Sequence, residues 1–225
     1  MDTAIDTGRE IKACCSALYA SDWARLLLGD SFHPGGVALT ERLGALVDLG
    51  PNDLVLDVAS GPGTSVLHLA REFGCRVVGV DYDATNVAKA TFQARLAGLS
   101  DKVSFQVGDG ESLPFTSATF DVVLCECSFC TFPNKRAAAT EFGRVLRPSG
   151  RLAFSDFTRS GDVPAELASV LAWIACLGDA RSIDDYVDHF HAASFGTVRI
   201  EPRNDALQSM VRDIRAKLLG AELLA

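Results

Sequence analysis

The 225-residue chain is 48% apolar and 22% charged, ordinary globular proportions that exclude wholesale disorder and a fibrous architecture. A net charge of −8 argues against a nucleic-acid backbone or an anionic membrane as the main partner. No apolar run approaches the ~18 residues of a membrane span, and the polar, acidic start from Met1 to Glu10 does not read as a signal peptide. A soluble, cytoplasmic monomer with no nucleic-acid or membrane partner is expected.

Two helical patterns open the chain. Residues 9–28 place Ile11, Cys14, Cys15, Leu18, Tyr19, Trp23, Leu26 and Leu27 at three- and four-residue spacings. Ser31 to Gly36 breaks that pattern, and a second helix is predicted over 37–49. After the turn at Gly50-Pro51-Asn52 the period changes. Asp53–Val58 is a short apolar run such as a strand buried on both faces shows. Then follow a helix at 64–73, a strand at 76–81, a helix at 84–97 and strands at 102–107 and 120–125. A helix at 134–146, a turn at Arg147–Gly150 and a strand at 151–156 complete the alternation. Strands alternating with helices across short connections predict an α/β fold with a doubly wound, mostly parallel sheet. Beyond it lie helices at 163–177 and 182–193, a strand-like Gly196–Ile200 and an amphipathic helix over 204–219. A single domain is expected: an N-terminal helical cap at 1–50, a ligand-binding core at 51–160, and acceptor-side helices with a C-terminal strand and helix at 161–225.

In an open parallel sheet, ligands bind beyond the carboxyl ends of the strands. After the first strand stands Asp57-Val58-Ala59-Ser60-Gly61-Pro62-Gly63, where two glycines permit a sharp turn and close backbone approach. Val66 occupies the place of a third fingerprint glycine, so a ligand smaller than a dinucleotide is indicated. The second strand ends in Asp81-Tyr82, about 20 residues on, where a carboxylate can accept from both ribose hydroxyls. The third ends in Gly108-Asp109-Gly110-Glu111, suited to an adenine amino group.

These ordered motifs, with Phe120-Asp121-Val122-Val123 and Val145-Leu146-Arg147-Pro148-x-Gly150, resemble those of class I S-adenosylmethionine-dependent methyltransferases over residues 35–160. The resemblance implies a Rossmann-like fold and S-adenosyl-L-methionine as cofactor. Gly61 and Gly63 would serve its methionine part, Asp81 its ribose, and Asp109, Gly110 and Glu111 its adenine, with Asp57, Ala59 and Tyr82 also among the cofactor-binding residues. The backbone at Cys125 would hold the amino group, and Tyr19, His33, Gly35 and Gly36 would close over the cofactor.

The chain has seven cysteines: Cys14, Cys15, Cys75, Cys125, Cys127, Cys130 and Cys176. An odd number without an export signal points to reduced thiols. Cys75 reads as a small buried hydrophobe; the crowding at 125–130 points to chemistry. Were the fourth strand to reach 127, Cys125 and Cys127 would share a face, with Glu126 on the other. Thiolates gathered at an acceptor site select soft metals or metalloids. Cys125-Glu126-Cys127, Asn134-Lys135 and Ala175-Cys176-Leu177-Gly178-Asp179-Ala180 resemble the arsenite methyltransferases. That resemblance implies a helical insertion after strand five, arsenic(III) ligated by Cys127 and Cys176, and a thiol reductant such as glutathione or thioredoxin. Cys14 or Cys15 would supply a third ligand; the two lie about 100° apart on a helix, so one at most points inward.

Glu126 and the extra Cys130 depart from that family, and the chain ends without the last antiparallel strand, as a truncated or shorter relative would. Two further readings stay open. A quinone- or sterol-type O-, N- or C-methyltransferase would use His33, Glu126, His189 or His191 as general base. A sensor would bind S-adenosylmethionine and a metalloid without turnover. A zinc or iron–sulfur centre at 125–130 lacks a second nearby cysteine pair.

Overall fold

A computed structural model of the chain describes residues 3–19, 21, 26, 29, 33–161 and 179–222. In chain order it has helix α1 (Thr3–Tyr19), α2 (Gly36–Leu46), strand β1 (Leu54–Val58), α3 (Thr64–Glu72), β2 (Arg76–Asp81), α4 (Ala84–Leu96) and β3 (Val103–Val107). Strand β4 (Phe120–Glu126), a 3₁₀ turn (Phe129–Thr131), α5 (Lys135–Val145), β5 (Leu146–Ser155), α6 (Ile183–Ala192) and α7 (Asn204–Glu222) follow. The five strands form one sheet in the order β3-β2-β1-β4-β5, and every pairing is parallel.

Side chains alternate across this sheet, which builds two cores. Val55, Val77, Val122 and Leu124 face α3 and Leu43 of α2. Leu56, Val58, Val123 and Cys125 face Phe129, Phe142 of α5, and Tyr186 and Phe190 of α6. Local signals set the helix starts: Asp83 accepts from the backbone N–H groups of Thr85 and Asn86, Asn134 from that of Ala137, and Ser182 with Asp185 closes a capping box.

The first helix starts six residues before the predicted 9 and ends at Tyr19, where the Ser21 N–H turns back to Leu18. The Arg147–Gly150 turn lies inside β5 as a bulge: Phe120 pairs with Leu146 and Val122 with Arg151, while Ser149 takes a φ of 64°. Gly196–Ile200 is not a strand. It pairs with no sheet edge among the described residues and leaves Val198 and Ile200 exposed. The predicted helix at 163–177, with Cys176, lies outside the described residues. Among them, no helix is long and apolar enough to cross a membrane.

Candidate active site

The strand order reverses at β1, so β1 and β4 are adjacent while their connections leave on opposite sides, and a crevice opens at their carboxyl ends. A cavity fills it. Two non-glycine residues with left-handed backbone flank it, Ala59 (φ 62°) directly after β1 and Cys127 (φ 48°) directly after β4. Such conformations cost free energy and concentrate at functional sites.

At the β2–β3 end the carboxylates are heavily tied. Asp81 accepts from the Gly61 N–H at 2.7 Å, the Asp83 N–H at 2.9 Å and the Asn86 amide at 3.1 Å. Burial raises its pKa and these bonds partly pull it back. Asp109 accepts from the Glu111 N–H at 2.9 Å and from the Lys12 ammonium at 2.8 and 3.1 Å. Gly110 is flat for a reason: a Cβ there would stand 2.9 Å from the Phe132 ring, which also lines the cavity.

At the β1–β4 end the parity of the strands decides what faces what. Asp57 pairs in register with Leu124, so Glu126, two residues further, is its diagonal neighbour on the face turned to α2 and α3. Glu126 accepts from Thr40 Oγ1 at 3.0 Å and Ser65 Oγ at 2.7 Å, and its side chain is 4% exposed. His33 Nε2 lies 3.6 Å from the same carboxylate. Burial, then the charges of Glu126 and Asp81, push Asp57 well above the usual carboxylate range. Two buried polar atoms of cavity-lining residues, His33 Nε2 and Ser60 Oγ, have no hydrogen-bond partner among the described residues. Orphans of this kind mark an environment built for a ligand or ordered water.

Of the residues expected at the site, Cys15, Tyr19, His33, Asp57, Ala59, Gly61, Asp81, Tyr82, Asp109, Gly110 and Cys127 line the cavity together. Others are placed elsewhere. Gly35 and Gly36 start α2 with φ of 82° and 52°, Gly35 packing against Leu39 and Ala206, so they shape the loop behind His33. Gly63 (φ 87°) caps α3, and a Cβ there would meet Phe105 at 2.8 Å and Ala90 at 2.9 Å; its smallness serves helix–sheet packing. Glu111 is spent on Lys12 and on the Asn134 N–H.

Cys125 is corrected most. It is fully buried among Val123, Phe129 and Phe142, and burial pushes its thiol far above the ordinary value, so no thiolate is offered there. It does not share a face with Cys127, because β4 stops at Glu126 and the left-handed turn swings Cys127 into the cavity. Cys125 does not line the cavity, whereas Glu126, Cys127 and Ser128 do. Cys15 is buried and Cys14 exposed, which settles which of the two faces inward. His189 packs beside Phe129 and His191 is exposed; neither lines the cavity, whereas His33 and Glu126 do.

Lys12, Ser16, Thr64, Ser65, Asn86, Thr131 and Phe132 also line the cavity and went unread in the sequence. For α1 a signal existed, since Lys12, Cys15, Ser16 and Tyr19 follow one helical face. Among the described residues, no group of three or more His, Cys, Asp or Glu side chains is placed to hold a metal ion.

Comparisons agree with this geometry. A family model described as a methyltransferase domain matches residues 49–194. Methyltransferase GfsG of Streptomyces halstedii is 32% identical over 163 residues, 72% of this chain and 58% of that protein. Arsenite methyltransferase of Halobacterium salinarum is 27% identical over 238 residues, covering 98% of this chain and 61% of that protein. The crystal structure of the [4+2]-cyclase SpnF superposes with a TM-score of 0.80 at 22% identity, covering 98% of this chain and 84% of that one, a likeness of fold. The chain thus spans 58% of the length of GfsG and about a third of others among the curated relatives it matches, 33% of the phosphoethanolamine N-methyltransferase of Triticum aestivum for example.

S-adenosylmethionine fits the residues present. Acceptors for its cationic and hydroxyl groups stand at Asp57, Asp81 and Asp109, all of which line the cavity. The unpartnered His33 Nε2 and Ser60 Oγ supply donors at the same wall.

Proposed function

Because the chain belongs to the methyltransferase-domain family, we propose that it transfers the methyl group of S-adenosylmethionine to a small thiophilic acceptor, arsenite, held by cysteine thiolates. When bound, the cofactor supplies a methyl group made electrophilic by its sulfonium. The observation that carries the acceptor is that Cys15, from α1, and Cys127, from the turn after β4, line the cofactor cavity from separate parts of the fold. Methyl transfer is a displacement, so the protein's task is alignment in a dry cavity. Paired thiolates would hold trivalent arsenic while its lone pair stays available as the nucleophile; soft sulfur ligands suit that ion. Cys176 is the further ligand this reading expects, and it lies outside the described residues. Methylation takes arsenic formally to the pentavalent state, so a thiol reductant such as glutathione or thioredoxin would return it to the trivalent one. The arsenite methyltransferase relative supports the reading.

Glu126 favours a second reading, an organic acceptor of quinone or sterol type. It is a buried carboxylate on the cavity wall, fixed by two hydroxyls and beside His33, placed as a general base would be.

Arsenite, labelled S-adenosylmethionine and a thiol reductant should yield methylated arsenic. Cys127→Ser and Cys15→Ser should each bring that product to background while leaving cofactor affinity intact. Full turnover in both variants would remove the thiol site. Organic acceptors methylated in place of arsenite would establish the second reading, and binding of both ligands without product would leave a sensor.

A further inference from the structure

Helix α1 turns one face to the cavity. Lys12, Cys15, Ser16 and Tyr19 recur at three- and four-residue intervals and all line it. Ala13, Cys14, Ala17 and Leu18, on the other face, are exposed. The helix is therefore the cavity's roof, and Lys12 ties it to the turn after β3. The ammonium lies 2.8 and 3.1 Å from the two oxygens of Asp109 and 2.6 Å from Glu111 Oε2, with the side chain 14% exposed. Glu111 passes the tie on, since its other oxygen accepts from the Asn134 N–H at the start of α5. Burial works to lower the Lys12 pKa, but hydrogen bonds and charge from Asp109 and Glu111 outweigh it, so the lysine stays cationic.

Asp109 is the carboxylate that lies at the adenine end. Its Oδ1 already takes the Glu111 N–H and the lysine, while Oδ2 takes the lysine alone. A carboxylate oxygen has two lone pairs, so Oδ2 keeps room for a donor from a ligand beside the ammonium. Lysine and ligand can thus be bound together rather than in exchange.

We propose that Lys12 is a cofactor-positioning residue: it clamps the roof helix onto the Asp109–Glu111 turn and closes the cavity over the adenosine end of the bound cofactor. The proposal rests on S-adenosylmethionine as cofactor and is independent of the acceptor. Closure and binding are linked, so a roof held down strengthens cofactor binding and a bound cofactor favours the closed roof by the same factor. Cys15 stands one turn further along the same face, so the clamp also fixes the height at which that thiol meets the cavity.

Lys12→Met keeps the apolar stem and removes the charge. Calorimetry should show S-adenosylmethionine and S-adenosylhomocysteine each bound about tenfold more weakly, with stopped-flow mixing placing most of the loss in a faster off-rate. Hydrogen exchange should show that the cofactor slows exchange of the α1 amides in the wild type and not in Lys12→Met, and Lys12→Arg should restore both properties in large part. Wild-type affinity together with wild-type protection of α1 in Lys12→Met would overturn the proposal. Tighter binding would also overturn it, by making Lys12 a competitor of the cofactor. Failure of the wild type itself to bind S-adenosylmethionine would instead remove the cofactor reading and this proposal with it.

Discussion

The two ends of the cavity are built on opposite terms. At the β2–β3 end each carboxylate is engaged by the protein: Asp81 by three donors, Asp109 and Glu111 by Lys12 and backbone N–H groups. At the β1–β4 end polar groups are crowded and under-satisfied. Asp57 is pushed toward its protonated form by burial and by Glu126, and His33 Nε2 and Ser60 Oγ have no hydrogen-bond partner among the described residues. A shared, unchanging part of a ligand can be met by a rigid, pre-paired surface, which keeps the reorganisation cost of binding low. An end where charge changes during reaction needs unspent hydrogen-bonding capacity, and the β1–β4 end has it.

This contrast can be broken by substitution. The largest effect is expected at the paired end. Asp81→Ala removes a cavity-lining carboxylate proposed to meet the ribose and also frees the Gly61, Asp83 and Asn86 donors, so cofactor affinity should fall about a hundredfold, roughly 3 kcal/mol. A titration showing less than a threefold change would mean that the β2 end is not where the ligand is anchored.

A slightly smaller effect tests the ground beneath the β4 turn. Asp156, at the end of β5, accepts from the Cys130 and Phe157 N–H groups, and burial raises its pKa from 3.8 to about 6. The folded protein therefore keeps a proton, between pH 3.8 and about 6, that the unfolded chain has released. Unfolding free energy must fall as pH rises through that window, by about 2–3 kcal/mol in total from this group. Asp121 and Glu141, whose pKa values are lowered, act in the opposite sense below their ordinary range. Comparison of Asp156→Asn with the wild type isolates the term: urea denaturation at several pH values should show the decline flattened in the variant, and parallel curves would refute it.

The smallest effect sharpens the division between neighbouring cysteines. Cys125→Ser replaces a buried thiol, 3.1 Å from Ser128 Oγ, with a more polar hydroxyl and should cost about 1–2 kcal/mol of stability. Methyl transfer at a temperature where the variant is folded should be unaltered. A loss of turnover like that expected of Cys127→Ser, without a stability change, would put Cys125 back among the reacting groups.

Much of the β2–β3 end of the cavity was legible in the sequence because it is written at strand ends. Asp81, Asp109 and Gly110 each follow a short β-branched run, and in a parallel sheet that position fixes where a side chain lies. Gly63 was read as a ligand glycine because a sequence shows where a Cβ is missing but not what would have met it; Phe105 comes from a strand 42 positions later. The acceptor end was harder. Cys125 and Cys127 are alike in composition and two residues apart, and one backbone torsion, φ 48° at Cys127, separates a core thiol from a cavity thiol. The strand read at Gly196–Ile200 failed for a related reason, since apolar alternation signals a strand only where an edge is available to pair with it.

By itself the sequence determined the alternation of strands and helices, and with it a parallel sheet whose crevice lies beyond the carboxyl ends of the strands. Those features follow from local periodicity and turn chemistry, which act over a few residues. Only the tertiary structure decided that Lys12 reaches a carboxylate 97 residues away, that Glu126 is held by Thr40 and Ser65, and that Cys15 rather than Cys14 faces the cavity. Contacts of that kind depend on which helix face and which strand parity meet once the sheet has closed, and long-range packing sets both.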